Sequence, residues 1–154
     1  MAGTVQLVSA PGYLLMITDG IGNFRIIPII DENDPRPQTS HAPSYQGSSV
    51  GHWEGDTLVV EVTNFNGRVP YRGSGENMKL TERFTRVGPD MLEYMFTIED
   101  PTVWTEPWTG VFPFVRDDGL YEIVEYACHE GNYAMQNILT GARAADREAG
   151  QAAD

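Results

Sequence analysis

The fold of this chain is read most clearly from two stretches, SVGHWEGDTLVVEV at residues 49–62 and KLTERFTRVGPDMLEYMFTIED at residues 79–100. Short runs of alternating apolar and polar residues, rich in Val, Thr, Phe and Tyr, are separated by the turn sequences EGD and GPD. Runs of this kind, joined by tight turns, are typical of antiparallel strands that pair in sequence order. The two stretches therefore predict a mainly β protein built as an up-and-down meander.

Strands of the same kind are predicted on both sides of this segment. Besides the strand that begins at residue 49, they are expected at 4–9, 12–18, 24–30, 56–65, 78–87, 91–99, 106–116 and 120–129. Pro28 cannot donate to a ladder, so its strand should lie at an edge or bend there. About eight or nine strands with mostly short connections favour a closed, lipocalin-like β-barrel over a sandwich, a likeness of general layout only.

Two long irregular segments and one helix complete the predicted organisation. The Pro-rich segment 31–48 and the Gly-rich segment 67–77 have the length of lids or binding loops. After Gly131 the apolar period changes to that of a helix, predicted over about 132–143. Residues 1–143 are thus expected to form a single barrel domain with a C-terminal helix, and the acidic tail 144–154 to fray.

Composition excludes several functional classes. The chain has 154 residues and a net charge of −12, from 22 acids against 10 Lys and Arg. This excess of acids opposes binding to nucleic acid and to anionic membrane surfaces, because a protein that binds either of them needs a patch of basic residues. No apolar run is long enough to span a bilayer, and the first residues do not read as a secretory signal. The sequence as written is therefore expected to be cytoplasmic and not to act at a membrane.

Four phrases of the chain resemble a widespread group of uncharacterised bacterial proteins. The phrases are GHWEGDTLVVE (51–61), LTERF through GPDMLEY (80–94), DPTVWTEPWT (100–109) and EYACHEGNY (125–133). The resemblance brings no established activity with it. Many proteins of this group are longer and carry an export signal. The resemblance therefore implies either the C-terminal part of a longer ancestor or a naturally short member, and it leaves export open beside the cytoplasm.

Four titratable residues are the candidate catalytic groups. His52 and His129 stand at strand ends, which line a mouth in a meander barrel, and they are predicted as an acid–base pair. Glu82 and Glu125 fall in strand phases that place a carboxylate inward, where it should pair with a cation or accept a hydrogen bond from Tyr. The alternatives are strand-end histidines bonded to backbone carbonyls and an internal ion pair with Arg25, Arg72, Arg83 or Arg86.

Aromatic residues are the candidate ligand contacts. The tyrosines expected to bind a substrate oxygen are Tyr13, Tyr71 and Tyr126, and the further contacts are Trp53, Tyr94 and Trp108. The alternative is that these rings only fill the core. No metal and no organic cofactor is predicted, because neither a metal-ligand spacing nor a nucleotide fingerprint occurs. The only cysteine, Cys128, reads as an inert thiol.

These features lead to three alternatives that the sequence leaves open. The first is a cofactor-free acid–base enzyme, a lyase, isomerase, cyclase or hydrolase acting on a small apolar or aromatic molecule. The second is a carrier that uses the same pocket without turnover. The third is a structural or interaction module with a filled barrel, for which a homodimer through the edge near Pro28 is a natural form. The long loops and the strand-end histidines favour a pocket.

Overall fold

The computed structural model describes residues 4–19, 24–30, 42–117, 119, 123, 131 and 133–151. The chain forms two compact units, residues 1–123 and 124–154. In the first unit, a three-stranded sheet and a five-stranded sheet are both antiparallel and run in sequence order. The strands are β1 (Val5–Ala10), β2 (Tyr13–Thr18), β3 (Phe24–Pro28), then β4 (Ser48–Glu54), β5 (Thr57–Thr63), β6 (Lys79–Gly88), β7 (Met91–Glu99) and β8 (Trp108–Val115). The predicted mainly β, antiparallel architecture is confirmed.

The two sheets meet where β3 is followed by β4. Ile29 forms a parallel bridge with Gly51, and the Ile30 N–H donates to the Gly51 carbonyl at 2.8 Å. A Cβ at Gly51 would lie 2.7 Å from Ile29 Cδ1, so glycine permits this close approach. The described strands hydrogen-bond as two separate sheets, and closure into one barrel is not confirmed. Of the strand predicted at 120–129, only residue 123 lies within the described residues.

The inner faces of both sheets share one hydrophobic core. The three-stranded sheet contributes Leu14, Met16 and Ile27. The five-stranded sheet contributes Leu58, Val60, Val62, Phe84, Tyr94, Phe96 and Ile98. Alternation along β6 and β7 directs every second side chain into this core. Burial of each such side chain stabilises the fold by about 1.5–3 kcal/mol. The same alternation determines which residues reach the space between the sheets.

The second unit contains the helix α1 (Ala134–Gln151). The helix begins within the predicted segment, and it continues past residue 143, where the apolar stripe ends. The physical reason is composition, because the added residues 144–151 include three Ala and one each of Arg, Glu and Gln, which favour helix without needing an apolar face. Within the described residues, no helix is long and apolar enough to cross a membrane.

Candidate functional site

A cavity of about 420 Å³ lies between the two sheets of the first unit. This volume is within the range of small-molecule sites. The three-stranded sheet lines it with Val5, Met16, Thr18 and Arg25. The five-stranded sheet lines it with Leu80, Glu82, Tyr94, Phe96 and Ile98. Most of the lining side chains are apolar or aromatic. The lining also contains the polar side chains of Thr4, Thr18, Asp19, Arg25, Gln46 and Glu82.

The cavity runs from an exposed apolar mouth to a buried base. At the mouth, the loops before β4 and between β5 and β6 contribute Tyr45, Val69 and Tyr71, of which Tyr45 is 61% and Val69 72% exposed. At the base, Tyr94 and Ile98 are each 2% exposed. Exposed apolar side chains grouped around a concavity are typical of binding sites, because a ligand removes them from water.

The base of the cavity holds a hydrogen-bonded cluster of Arg25, Glu82 and Tyr94. Arg25 Nη1 donates to Glu82 Oε2 at 2.6 Å, and Arg25 Nη2 donates to Glu82 Oε1 at 2.9 Å. The Tyr94 hydroxyl donates to Glu82 Oε1 at 2.8 Å. Glu82 is 0% exposed. The cluster thus links β3 of one sheet to β6 and β7 of the other through a bidentate ion pair, a strong and directional contact.

Strand register explains how the sequence brings these groups together. Glu82 lies opposite Phe96, and Phe84 lies opposite Tyr94, so Glu82 and Tyr94 are diagonal neighbours on the inner face. Arg25 lies opposite Met16, and its Nη2 is 2.8 Å from the Met16 sulfur. The prediction that Glu82 points inward and needs a cation or a tyrosine is confirmed, since it has both.

Burial and the ion pair shift the pKa of two members of the cluster. Burial raises the pKa of Tyr94, and the charge of Glu82 and the hydrogen bond to it raise this pKa further. Burial by itself lowers the pKa of Arg25. The charge of Glu82 and the hydrogen bond to it raise this pKa by more, so the pKa of Arg25 lies above its ordinary value. The hydroxyl of Tyr94 and the guanidinium of Arg25 therefore keep their protons, and both act as donors at the base of the cavity.

A second buried cluster holds the loop that forms part of the mouth. Asp100 accepts hydrogen bonds from the Gly75 N–H at 3.1 Å and from the Thr102 hydroxyl at 2.5 Å. The Thr102 hydroxyl lowers the pKa of Asp100, and the Gly75 and Thr102 N–H groups lower it further. The Trp104 indole N–H donates to the buried Ser74 hydroxyl at 2.9 Å. These bonds tie the loop before β6, which carries Tyr71, to the turn after β7.

Aromatic side chains form the wall behind this mouth. Trp108 contacts Tyr71, Phe96 and Trp104, with ring centroids 6.4, 5.4 and 6.0 Å apart. Trp108 itself is not among the residues that line the cavity. Its indole nitrogen is buried, and within the described part of the chain it has no hydrogen-bond partner. Trp108 therefore supports the position of the cavity-lining Tyr71 and Phe96.

Of the predicted site residues, the structure brings Glu82, Tyr94 and Tyr71 together on the cavity. His52 lies on β4, outside the lining, with its Nε2 3.3 Å from Glu54 Oε1. Trp53 and Tyr13 are exposed and also lie outside the lining. The remaining predicted residues, His129, Glu125 and Tyr126, lie outside the described residues.

His52 belongs to a surface cluster at the turn between β4 and β5. Glu54 accepts a hydrogen bond from Arg83 at 2.6 Å as well as facing His52. The hydrogen bond from Arg83, followed by that from His52, lowers the pKa of Glu54. This exposed arrangement is typical of a solvated network of charged side chains on the outer face of a sheet.

The sequence pattern alone does not assign Arg25, Met16 or Thr18 to the site. In the sequence, Arg25 is one of four arginines offered as partners of an inward carboxylate, and its alternation with apolar neighbours in FRIIP is the available signal. A cation flanked by apolar residues in a strand is either an outward charge or half of a buried pair. The distinction depends on which strand of the other sheet faces it, and local pattern does not contain that information.

Comparisons of the chain with protein-family models, with curated proteins and with solved structures found no match. The resemblance to the bacterial group therefore stays a prediction. Among the described residues, no group of three or more His, Cys, Asp or Glu is placed to hold a metal ion.

Proposed function

We propose that this protein binds a small, mainly apolar molecule in the cavity between its two sheets. The observation that carries the proposal is a cavity of about 420 Å³ with an exposed apolar mouth and one buried polar cluster at its base. Ligand sites commonly combine apolar walls with a few polar groups that fix orientation. The empty volume favours a pocket over a module filled by its own side chains.

The same geometry favours binding over acid–base catalysis. Both oxygens of Glu82 are engaged by Arg25, and Tyr94 adds a further hydrogen bond, so this carboxylate is a poor candidate for a free base. His52 lies away from the cavity lining. Catalysis that uses His129 and Glu125 stays a prediction, as does the closed barrel. Neither is needed for binding between the sheets.

The proposal is tested by titrating the full chain with the neutral fluorescent probe N-phenyl-1-naphthylamine. Leu80→Trp places a large side chain in the cavity, and Thr81→Trp, the matched control, places it on the opposite face of β6. The parent and Thr81→Trp should bind the probe saturably. Leu80→Trp should bind it about tenfold more weakly or worse, a loss of about 1.4 kcal/mol or more.

Two results would contradict the proposal. One is the absence of saturable probe binding by the folded parent. The other is a Leu80→Trp variant that is folded by circular dichroism and binds the probe as tightly as Thr81→Trp, because the site would then lie elsewhere.

A further inference from the structure

We infer that the cavity prefers uncharged molecules with a single hydroxyl or carbonyl group to carboxylates. This inference rests on the proposed function and concerns the charge of the ligand. It follows from the way in which Glu82 uses the positive charge of Arg25.

The positive charge that the described residues place in the cavity is already paired. Arg25 is the only Lys or Arg among the described residues that line it, and Glu82 engages both of its terminal nitrogens. The two other charged lining groups, Glu82 and Asp19, are both acidic. The described part of the lining therefore offers an incoming anion no uncommitted positive charge.

A ligand carboxylate has two ways to enter, and both are unfavourable. It can remain beside the intact pair, where it loses its hydration next to acidic side chains without gaining a cation. Alternatively, it can displace Glu82 from Arg25, which leaves a carboxylate that is 0% exposed without its partner. A neutral ligand meets neither penalty, because it needs only a hydrogen bond at the polar end.

The base of the cavity offers such a hydrogen bond. A guanidinium has more N–H groups than Arg25 uses with Glu82 and the Met16 sulfur, and a hydroxyl or carbonyl oxygen can accept from them. The Tyr94 oxygen donates to Glu82 and can still accept a hydrogen bond. A ligand hydroxyl can therefore both donate and accept there without disturbing the ion pair.

The test compares 1-octanol and octanoate as competitors of N-phenyl-1-naphthylamine near pH 7.5. These two molecules both have eight carbons and differ in the charge of the end group. The parent should bind octanol at least about tenfold more tightly than octanoate. Equal or tighter binding of octanoate would overturn the inference while leaving the proposed function intact. If the probe itself does not bind, the proposed function fails first.

The parent could prefer octanol to octanoate for two reasons: Glu82 already occupies the charge of Arg25, or the alcohol is simply more hydrophobic. A variant of Glu82 distinguishes the two. Glu82→Gln keeps the shape of the side chain but frees the charge of Arg25, so octanoate should gain about tenfold in affinity while octanol changes by less than about threefold. Glu61→Gln is the matched control, since Glu61 faces Lys79 at 3.6 Å and is not part of the cavity lining. It should leave both affinities unchanged.

The inference can be tested even if Glu82→Gln does not fold. If Glu82→Gln unfolds, added octanoate should restore its folding more effectively than octanol does, because the anion replaces the missing charge. A folded Glu82→Gln without any gain for octanoate, or an unfolded one that octanoate does not restore, would overturn the inference.

Discussion

Replacing Glu82 by Leu should strongly destabilise the first unit. The substitution leaves Arg25, whose side chain is only 15% exposed, without its carboxylate partner. Removing one partner of a buried ion pair costs about 3–5 kcal/mol. Tyr94 also loses its acceptor, which adds about 1 kcal/mol. Since a domain is stable by only about 5–15 kcal/mol, Glu82→Leu is expected to lose a large part of its free energy of unfolding.

The reciprocal variant, Arg25→Met, should also be strongly destabilised. It leaves Glu82, which is 0% exposed, without its cation. Removing this partner of the buried ion pair should likewise cost about 3–5 kcal/mol. The Tyr94 hydroxyl keeps its acceptor in this variant, so the additional loss of about 1 kcal/mol expected for Glu82→Leu is absent.

The assay is urea unfolding of each full-length variant near pH 7.5, followed by circular dichroism and tryptophan fluorescence. The decisive variant combines Arg25→Met, Glu82→Leu and Tyr94→Phe, which replaces the whole cluster by apolar groups of similar size. Its free energy of unfolding should lie within about 1–2 kcal/mol of the parent, because no buried polar group is left unpaired. A triple variant as unstable as Glu82→Leu, or an Arg25→Met variant as stable as the parent, would refute this account of the cluster.

Three further predictions concern single substitutions. The stability advantage of the parent over Tyr94→Phe in urea should shrink above about pH 10, by up to about 1.4 kcal/mol per pH unit, because burial raises the pKa of Tyr94 and the unfolded chain loses the proton first. A constant difference would contradict this. Gly110→Val should lower the free energy of unfolding by about 1–3 kcal/mol, since a Cβ there overlaps the Phe96 ring, and a variant as stable as the parent would show that the ring moves freely. Asp100→Asn should lower the melting temperature near pH 7, and the gap should narrow below about pH 4, because the Thr102 hydroxyl lowers the pKa of Asp100 and its contribution is lost as the carboxylate takes up a proton. A gap that does not change in calorimetric scans would count against that role.

The parts of the structure that could be predicted from the sequence depend on local periodicity. Alternation in KLTERF places Leu80 and Phe84 on one face together with Glu82, and the structure has all three facing the interior. The need of Glu82 for a partner follows from the same pattern, because an isolated carboxylate in a core is unfavourable. Its actual partner, Arg25, lies 57 residues away in sequence, on the other sheet. That pairing depends on how the sheets pack and not on either strand alone.

The prediction for His52 depended on a tertiary arrangement that the sequence does not specify. Strand ends line a common mouth only if the strands close into a barrel. The described strands form two sheets joined near Gly51, and the cavity lies between β1–β3 and β6–β7, so the end of β4 that carries His52 is not part of it. The sequence predicts a long irregular segment for the loop that carries Tyr71. It does not predict the attachment of this loop through Asp100, although an Asp followed by Pro and Thr is a turn signal.

The stability of the cluster and its proposed effect on ligand choice can be separated. If apolar groups serve the fold as well as Arg25, Glu82 and Tyr94 do, stability alone does not account for a charged pair at the base of a cavity. A role in selecting the ligand does account for it, because the pair supplies hydrogen-bond donors and an acceptor there without net charge. The triple variant joins both arguments. It should remain folded and bind the neutral probe, but it should no longer favour octanol over a purely apolar competitor such as octane as strongly as the parent does. If that preference is unchanged in the folded triple variant, the polar base does not recognise the ligand's end group.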